Sequence, residues 1–600
     1  MKKKKAGIIS FKKILENNFY AVALIWKNCP MKIVYKLIYS FMNGLLGTLE
    51  LYFIGHAINF ALSGATYQAV LKYLLIYILI NTVYNVLTGI LNARLEPYFN
   101  YEIGSKIKLM FLEKTAECDL KCYEDTQFYQ DYTLAAAQCI SRAEGTLETL
   151  SNFVSVATSL LSLSILTYII NPVILLFFIA PIFLFIIDKR KMEIEFNMNK
   201  KIVEYSRQKN YCVRTFYRPE YAKEMRVSEI SKPLVARFKE TVNECINLYK
   251  NEGLKVAIIN FIQTIYNELF SNLLVLLYVA YQLLIAGNIQ YGDCVIIVKA
   301  IGDVSNSIQG VVGVLSAFRE NALFINNVKK FMNYKPSILK NENGALAENG
   351  EIIFKNVSFR YEGSTEDVLK NVSFSIKRGQ KVAIVGLNGA GKTTLIKLLL
   401  RLYDPTDGTI SLNGKNIKEI NLESYREMFA TLLQDFHNFS ISIKENILLR
   451  KERAGDDLVI ESALIKSGFK ERVNQMPKGI YTSLGKEFEE DGEVLSGGEY
   501  QKLALTHMFA KGSPVMILDE PSSALDPVSE AKMYSNIMES CNNNTLIFIS
   551  HRMSSAKIAD KILYMENGKV VEEGSHIELI KKNGKYAELF NIQAQNYTLN

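Results

Sequence analysis

A glycine-rich loop past the middle of the 600-residue chain carries the residues best suited to bind phosphate. The segment Gly386–Thr393 reads GLNGAGKT and directly follows the apolar run Lys381–Gly386. It matches the pattern G-x-x-x-x-G-K-[ST], in which glycines let backbone N–H groups converge on phosphate oxygens. A helix expected over Thr394–Leu402 adds a favourable dipole at its N-terminus. We expect Lys392 to reach the β- and γ-phosphates of a nucleotide and the Thr393 hydroxyl to bind Mg²⁺.

A second apolar segment, Pro514–Glu520, ends in two adjacent carboxylates. At the end of a buried strand, Asp519 would hold the Mg²⁺ shell, and Glu520 would polarise the attacking water as a general base. The alternative is an apolar strand that merely ends in acidic residues. With the phosphate loop in the same chain, the sequence favours a nucleotide-hydrolysing site.

Five further motifs make residues 351–600 resemble the ATP-binding cassette of ABC transporters. In the order of the chain they resemble the adenine-stacking aromatic, the Q-loop glutamine, the signature sequence, the D-loop and the switch histidine. The corresponding residues are Tyr361, Gln434, Leu495–Glu499, Ser523–Asp526 and His551. All occur in the order that the family shows.

This resemblance implies a set of roles in binding and hydrolysing ATP. The residues expected to contact ATP are Tyr361, Gly386, Asn388, Gly389, Gly391, Lys392, Thr393, Thr394, Gln434, Ser496, Gly498 and Asp526. The oxygens expected around Mg²⁺ come from Thr393, Gln434 and Asp519. The residues expected to act in catalysis are Glu520 and His551.

The signature sequence also implies a partner. In the family, the signature of one subunit closes over the ATP held by the phosphate loop of the other, so Ser496 and Gly498 would touch the γ-phosphate on a second subunit. Ser496 has the position of a helix N-cap, and the dipole of the helix after it would favour an anion. Because Glu520 and His551 are both present, we expect a homodimer with two competent sites, and half of a heterodimer is the alternative.

Two positions depart from the family pattern. The fifth signature residue, usually Gln, is Glu499, and Leu505–His507 replaces a stretch in which the family commonly carries Arg. Neither change removes an expected phosphate ligand. Both could alter the rate of hydrolysis or its coupling to movement.

The elements that position these residues follow from an uneven composition. The chain is 49% hydrophobic and 22% charged, which indicates one apolar half and one soluble half. Each apolar stretch before residue 320 is near or above the roughly 20 residues that cross a bilayer. There are six of them, at 33–60, 70–95, 148–170, 172–188, 256–286 and 291–316. We therefore predict an all-α six-helix transmembrane domain joined to an α/β P-loop nucleotide-binding domain with a helical subdomain.

The predicted boundaries divide the chain into four parts. Residues 1–30 form a tail and an interfacial helix, 31–330 the transmembrane domain with long cytoplasmic extensions, 331–350 a linker and 351–600 the cassette. The amphipathic segment Phe11–Asn28, which contains the only tryptophan, favours a helix at the membrane interface, with a loosely ordered tail as the alternative.

Charge predicts the orientation in the membrane. Lysines 2–5 precede the first apolar stretch, and cytoplasmic flanks of membrane helices carry excess Lys and Arg. With six spans, both termini and the cassette lie in the cytoplasm of a multi-pass plasma-membrane protein. The same rule accounts for the net charge of +8, and because no aromatic residues interleave the basic clusters, we expect no nucleic-acid partner.

Five ionisable residues lie within the apolar stretches: Glu50, His56, Glu268, Lys299 and Asp303. Because charge is costly against lipid, they are expected to face a cavity or one another. We assign Glu50, Glu268 and Asp303 to the lining of a substrate pathway. A water-filled vestibule and an internal ion pair such as Glu268 with Lys299 are the alternatives.

Six spans followed by one cassette resemble a half-size ABC exporter. That resemblance implies export driven by ATP and Mg²⁺, with loops near Cys122–Tyr132 and Phe216–Val227 docking on the cassettes near Gln434. The amino-acid sequence from Gln501 to Leu505 resembles the corresponding segment in exporters of ribosomally made peptides such as lantibiotics. A peptide or another amphipathic molecule is the expected substrate. A lipid or multidrug exporter, an importer and an ATP-dependent immunity or sensor protein are the alternatives.

Overall fold

A computed structural model describes residues 10–434, 436–520, 527–540, 543–550 and 552–598. The chain divides into two compact units. The first contains the residues up to Glu117 together with Gln130–Tyr334, and the second contains Cys118–Tyr129 together with the chain from Lys335 onward. The second unit therefore includes a short segment that lies, in sequence, between two long helices of the first.

The first unit is helical. Up to Met332 the described chain forms these helices, of which α4 belongs to the second unit: α1 Phe11–Asn28, α2 Pro30–Leu62, α3 Tyr67–Ala116, α4 Lys121–Glu124, α5 Thr126–Ile170, α6 Ile179–Tyr217, α7 Ala222–Val227, α8 Ser231–Tyr266, α9 Leu274–Tyr281 and α10 Tyr291–Met332. Short 3₁₀ segments at Pro172–Phe178 and Pro219–Tyr221 precede α6 and α7. The π-helical turns Asn267–Leu273 and Gln282–Ala286 follow α8 and α9, so the helix runs without a break from Ser231 to Ala286.

Five helices among the described residues are long and apolar enough to cross a membrane. They are Pro30–Leu62, Tyr67–Ala116, Gln138–Ile170, Ser231–Ala286 and Tyr291–Met332, and they contain five of the six predicted stretches. The fourth predicted stretch, 172–188, is not among them. Its apolar residues are divided between the 3₁₀ segment Pro172–Phe178 and the start of α6, and the charged run from Asp188 follows at once.

Two glycines let α2 and α10 approach closely. A Cβ on Gly292 would stand 1.9 Å from the carbonyl oxygen of Gly55, and a Cβ on Gly55 would stand 2.3 Å from the Ile296 side chain. Beside this contact, the Asn59 side chain donates to Asp293 at 2.9 Å and accepts from the Gly292 N–H at 2.6 Å. Small residues and satisfied polar groups of this kind hold membrane helices together, because lipid offers no competing water.

The N-terminal segment is the helix α1 rather than a loose tail. Two of its buried side chains, Asn17 and Asn18, donate to the carbonyl oxygens of Ala322 and Phe318 on α10, at 2.8 and 2.9 Å. Its exposed residues include large apolar side chains: Phe11, Leu15, Phe19 and Trp26. An apolar outer face is a feature of interfacial helices, and the position of α1 at a membrane interface stays a prediction.

The second unit is an α/β domain with two sheets. The strands are β1 Ile352–Phe359, β2 Leu369–Ile376, β3 Lys381–Gly386, β4 Asp407–Leu412, β5 Lys415–Asn416, β6 Phe429–Leu432, β7 Val515–Asp519, β8 Thr545–Ile549, β9 Lys561–Glu566 and β10 Lys569–Gly574. One sheet has the order β2-β1-β4-β5 and is antiparallel, and the other has the order β10-β9-β3-β8-β7-β6. From β9 to β6 the strands of the second sheet are parallel, so their carboxyl ends lie at one edge.

Helices cover this sheet and form a smaller layer beside it. They are α11 Lys392–Leu399, α12 Leu422–Glu427, α13 Ile443–Leu448, α14 Asp456–Ser467, α15 Lys470–Asn474, α16 Gly497–Lys511, α17 Pro527–Ser540, α18 Met553–Ala556, α19 His576–Lys582 and α20 Lys585–Thr598. On β3, Val382 and Ile384 join the core that contains α11 and the antiparallel sheet, whereas Ala383 and Val385 join the core on the opposite face. The helices α13 to α16 share a separate apolar cluster, which is the predicted helical subdomain.

Candidate nucleotide-binding site

The phosphate loop is a tight turn between β3 and α11. Gly386 (φ +150°) and Gly391 (φ +100°) adopt backbone conformations that side chains rarely allow. A Cβ on Gly386 would stand 2.2 Å from the carbonyl oxygen of Met565, and one on Gly391 would stand 2.7 Å from the Leu369 side chain. Only glycine fits at these two positions, and the loop therefore keeps its N–H groups near the start of α11.

Lys392 is the first residue of α11, and its buried side chain curls back over the loop. Its ammonium group donates to the carbonyl oxygens of Gly386 at 2.9 Å and Leu387 at 3.1 Å. Burial lowers the pKa of Lys392, and the carboxylates of Glu520 and Asp519 act in the opposite direction. An anionic phosphate in the loop would further favour the charged form of this lysine.

The C-terminal end of α11 is held by two side chains of α12. The hydroxyl of Tyr425, which is fully buried, donates to the Leu399 carbonyl oxygen at 2.6 Å. The guanidinium of Arg426 donates to the carbonyl oxygens of Leu400 at 3.4 Å and Arg401 at 2.8 Å. These bonds satisfy carbonyl groups that a helix end leaves without partners, so α11 is fixed at the end opposite the loop.

The two predicted carboxylates lie at the same edge of the sheet as the phosphate loop. Strand β7, which ends at Asp519, and strand β3 both pair with β8, which lies between them. Glu520 has a left-handed backbone (φ +52°), and its N–H donates to Ile549 at 3.2 Å. The Gln434 side chain donates to the Glu520 carboxylate at 3.5 Å. A strained conformation at the end of a central strand is typical of a functional position.

A cavity of about 480 Å³ joins these groups. Most of the predicted ATP ligands line it, together with the predicted catalytic residue Glu520, whereas the predicted ligands Gly386 and Tyr361 are not part of the lining. The full lining is Val368, Asn388, Gly389, Ala390, Gly391, Lys392, Thr393, Thr394, Gln434 and Glu520. Sequence reasoning missed Val368, which precedes β2 and belongs to no phosphate-binding pattern. Predicted residues His551 and Ser523–Asp526 lie outside the described residues.

The predicted adenine-stacking residue, Tyr361, is joined to the start of α11. Its hydroxyl and that of Thr394 are 3.1 Å apart, which is hydrogen-bonding distance. The ring makes edge contacts with Phe359 and Tyr403, with centroids 4.9 and 5.4 Å away. The Tyr361 ring is therefore held in place beside α11, whose first three residues line the cavity.

The residues assigned to Mg²⁺ offer the oxygen donors that this ion prefers. Thr393 has an exposed hydroxyl in the first turn of α11, Gln434 adds an amide oxygen, and Asp519 adds a carboxylate next to Glu520. Among the described residues, no group of three or more His, Cys, Asp or Glu forms a metal cage. Mg²⁺ commonly binds through one or two protein oxygens, phosphate oxygens and water, so these residues fit the ion.

The predicted signature begins α16. Ser496 is its N-cap and forms a capping box with Glu499: the Glu499 N–H donates to Ser496 Oγ, and the Ser496 N–H donates to the Glu499 carboxylate at 2.8 Å. Ser496 and Gly497 are exposed. Neither Ser496 nor Gly498 is among the described residues that line the phosphate-loop cavity. The exposed helix start is thus available to a ligand that this cavity does not hold.

The second departure from the family pattern lies inside the helical subdomain. The Thr506 hydroxyl donates to Lys502 at 2.7 Å and is 2.7 Å from the Ser467 hydroxyl. The ring of His507 donates from Nδ1 to the Ile447 carbonyl oxygen at 2.8 Å, and burial lowers its pKa. These side chains connect α16 to α13 and α14, and they have a packing role where the family commonly carries Arg.

The short helix α4 lies in the second unit. Its Glu124 accepts a hydrogen bond from Lys397 on α11 at 2.8 Å and another from the Tyr403 hydroxyl. Asp119, just before α4, accepts from the N–H and hydroxyl of Ser337 at 2.6 and 2.7 Å. The sequence predicted docking near Gln434; the hydrogen bonds described here are with α11, Tyr403 and Ser337.

The three acidic residues assigned to a substrate pathway lie in the first unit, in two surroundings. Asp303 is 4.0 Å from the ammonium of Lys299, and Glu50 lies within electrostatic range of Asp303. Glu268, in the π-helical turn after α8, accepts a hydrogen bond from Asn272 at 3.0 Å. The ion pair of Lys299 is thus with Asp303, not with Glu268, and the pathway role of the three acids stays a prediction.

Three comparisons agree with this geometry. Residues 369–523 match the family described as ABC transporter. The chain is 28% identical over 509 residues to the subtilin transport ATP-binding protein SpaT of Bacillus subtilis, covering 83% of this chain and 81% of that protein. It is 35% identical over 304 residues to the ATP-dependent lipid A-core flippase of Vibrio parahaemolyticus, about half the length of each.

A solved structure extends the likeness to both units. The structure of a bacterial Atm1-family ABC exporter with ATP bound superposes with a TM-score of 0.75 and 22% identity, over 94% of this chain and 98% of the other. At this identity the match establishes the fold. The predicted fold class, helical membrane-type domain followed by an α/β nucleotide-binding domain, is confirmed.

Proposed function

We propose that this chain is an ABC transporter of the half-size exporter type, with an ATPase domain coupled to its membrane domain. In this proposal two copies form a homodimeric pump for a peptide or another amphipathic molecule. The observation that carries the ATPase part is one cavity that brings Lys392 and Glu520 together. One group is placed to bind phosphate and the other to activate water. Such a pair is needed for hydrolysis, whereas a protein that only binds ATP would not need Glu520.

The residues of the cavity divide the chemistry among them. Lys392 and the loop N–H groups hold the phosphates, and Tyr361, which contacts the lining residue Thr394, supports the adenine ring. Glu520 accepts a proton from the attacking water, while Gln434 fixes the position of that carboxylate through its hydrogen bond. Thr393, Gln434 and Asp519 would hold Mg²⁺, which when bound neutralises charge that develops on the phosphates. The proposed partner for Glu520 in catalysis is His551.

The dimer is proposed because the signature does not line the cavity of its own chain. An exposed helix N-terminus at Ser496 and Gly498 favours an anion, and the partner's ATP would supply it. Two chains would then form two composite sites, in which Asp526 is a further proposed contact. ATP drives a change of shape only if it binds the closed dimer better than the open one.

The substrate class is proposed from the relatives and from charge. One relative is named for subtilin transport and another for lipid A-core, so a peptide is our first candidate and a lipid the second. The acidic residues Glu50, Glu268 and Asp303 would favour a cationic group on the substrate. We place the protein in the plasma membrane with both termini and the cassette in the cytoplasm, where ATP is available.

The test is the ATPase rate of the full chain in lipid nanodiscs. Glu520→Gln removes the base but keeps a side chain of the same size, so hydrolysis should fall at least about a hundredfold, which is the lower end of the range for general bases, while ATP binding persists. Glu573→Gln is the matched control, because Glu573 on β10 pairs only with Lys561 among its described ion pairs. Equal hydrolysis by wild type and Glu520→Gln would refute the proposed function.

A further inference from the structure

The carboxylate of Glu499 is bound on two sides. Its Oε2 accepts the N–H of Ser496 at 2.8 Å and the Ser496 hydroxyl at 2.9 Å. Its Oε1 accepts a hydrogen bond from Nε of Arg472, on α15, at 2.7 Å. The same guanidinium donates from Nη2 to Glu493 at 2.9 Å. Arg472 therefore donates hydrogen bonds to two carboxylates, that of Glu493 just before the signature and that of Glu499 within it.

The capping box itself does not need a charge at this position. A glutamine oxygen accepts the same Ser496 N–H bond and also completes a capping box. What glutamate adds is a negative charge within one turn of Ser496. In the proposed dimer this is where the partner's γ-phosphate must approach, and like charges in proximity oppose binding.

Protonation does not remove that charge under physiological conditions. The backbone hydrogen bond from Ser496 holds the pKa of Glu499 below its ordinary value, and the Ser496 hydroxyl and Arg472 act in the same direction. Glu499 therefore stays ionised, and a fixed cation is the remaining means of balance. Arg472 is that cation: it is always charged, and about two thirds of its side chain is shielded from solvent, with 30% exposed.

We propose that Arg472 is the counter-ion that allows an acidic signature to accept the γ-phosphate of a nucleoside triphosphate bound by a second copy of the chain. Arg472 is a positioning residue, because it acts through Glu499 and Glu493 and not by touching the phosphate. This inference rests on the proposed function, since it needs the signature to face a partner's nucleotide. Among the described residues, the ion pairs of Glu493 and Glu499 are both with Arg472, so its loss would leave these two carboxylates without that cation beside the start of α16.

A merely structural role for Arg472 makes a different prediction. In that case the arginine only ties α15 to α16 and to Glu493, and removing the charge of Glu499 repairs nothing. If instead Arg472 balances charge, then neutralising Glu499 should rescue its loss. The difference is measurable by comparing the KM of the double variant with that of Arg472→Met.

The experiment measures ATP hydrolysis by the full chain in nanodiscs as a function of ATP concentration. Arg472→Met should raise the KM for ATP roughly tenfold, because the group of Arg472, Glu493 and Glu499 then carries one more negative charge, whereas Glu499→Gln should lower it. The double variant should return to within about twofold of wild type, because its net charge at this group is that of wild type. The Arg472→Met defect should also shrink between about 0.05 and 0.5 M salt, because screening weakens repulsion. Arg472→Gln, which keeps polar contacts, should show the same KM defect even if Arg472→Met folds poorly.

The matched control is Lys478→Met. Lys478 pairs with Glu489 at 3.1 Å and Asp491 at 3.0 Å, in the same loop region, and neither of these ion pairs involves the capping box. Its KM should stay within about twofold of wild type, since those exposed pairs contribute little. The proposal is overturned if the double variant is as impaired as Arg472→Met, or if salt does not change the defect. Absence of Glu520-dependent hydrolysis in wild type would instead refute the proposed function.

Discussion

Replacing Glu124 by glutamine tests whether α4 is fastened to the nucleotide-binding helix. Glu124 accepts hydrogen bonds from Lys397, at 2.8 Å, and from the hydroxyl of Tyr403. Burial by itself would raise the pKa of Glu124, but these two hydrogen bonds and the charge of Lys397 outweigh it, so the carboxylate is ionised. Glutamine keeps the shape and an acceptor and removes the charge.

The expected loss follows from the exposure of the pair. The side chains of Lys397 and Glu124 are 27% and 39% exposed. This ion pair therefore lies between fully exposed pairs, which contribute little to stability, and buried pairs. A hydrogen bond to a charged group contributes about 1.5 to 3 kcal/mol, and solvent screening here reduces the loss to about 1 kcal/mol. Because 1.4 kcal/mol is tenfold in an equilibrium constant, α4 should open about fivefold more often.

Hydrogen exchange is the right assay, because a chain of two units has no single unfolding free energy. The backbone N–H groups of Cys122, Tyr123 and Asp125 are hydrogen-bonded within this segment at 2.9 to 3.0 Å and report its opening. Their protection should fall about fivefold in Glu124→Gln, and no further when Lys397→Met is added. The control is Lys121→Met, whose partner Glu362 is 3.7 Å away and 78% exposed. Unchanged protection in Glu124→Gln, or an equal loss in the control, would refute the reasoning.

Two other predictions concern the cavity and the helical subdomain. Tyr361→Ala should raise the KM for ATP by about five- to a hundredfold, since an aromatic platform contributes about 1 to 3 kcal/mol to binding a nucleotide base. Tyr361→Phe, which loses the bond to Thr394 but keeps the ring, should raise the KM about threefold. Equal KM values for wild type and both variants would contradict this prediction. The pKa of His507 is lower in the folded protein than in the unfolded chain, because the ring is buried. The contribution of His507 to stability is therefore complete above about pH 6.5 and is lost as the pH falls toward the pKa of the folded state. The hydrogen-exchange protection of the α16 backbone N–H groups in wild type, relative to that in His507→Asn, should therefore decrease from pH 7.5 to 5.5. A constant ratio would show that His507 does not titrate in this range.

The cassette was predictable because its chemistry lies on contiguous residues. The run from Lys381 to Thr393 contains a strand, a phosphate-binding turn and the start of a helix, so local pattern determines the geometry. Asp519 and Glu520 were predictable for a similar reason, since an apolar strand followed by two acids places them at a sheet edge. Parallel pairing through β8 then brings the two segments to one cavity.

What the sequence did not predict depends on residues that are distant along the chain. The partner of Glu499 is Arg472, which lies 27 positions earlier, on a helix of five residues with no pattern of its own. Val368 entered the cavity through tertiary packing alone. The fourth apolar stretch was recognised by hydropathy, which does not register that its residues are shared by a 3₁₀ segment and α6.

The helix α11 joins the features that matter for coupling hydrolysis to movement. Its first turn carries Lys392 and Thr394 at the phosphate loop, and its last turn carries Lys397, which is bonded to Glu124. An α-helix of eight residues is only about 12 Å long and moves as a rigid body. A displacement of the phosphate loop that follows ATP binding must therefore move Lys397, and α4 must follow it or lose its bond. For this reason the exchange of α4, measured with and without ATP, reports directly on the state of the nucleotide site.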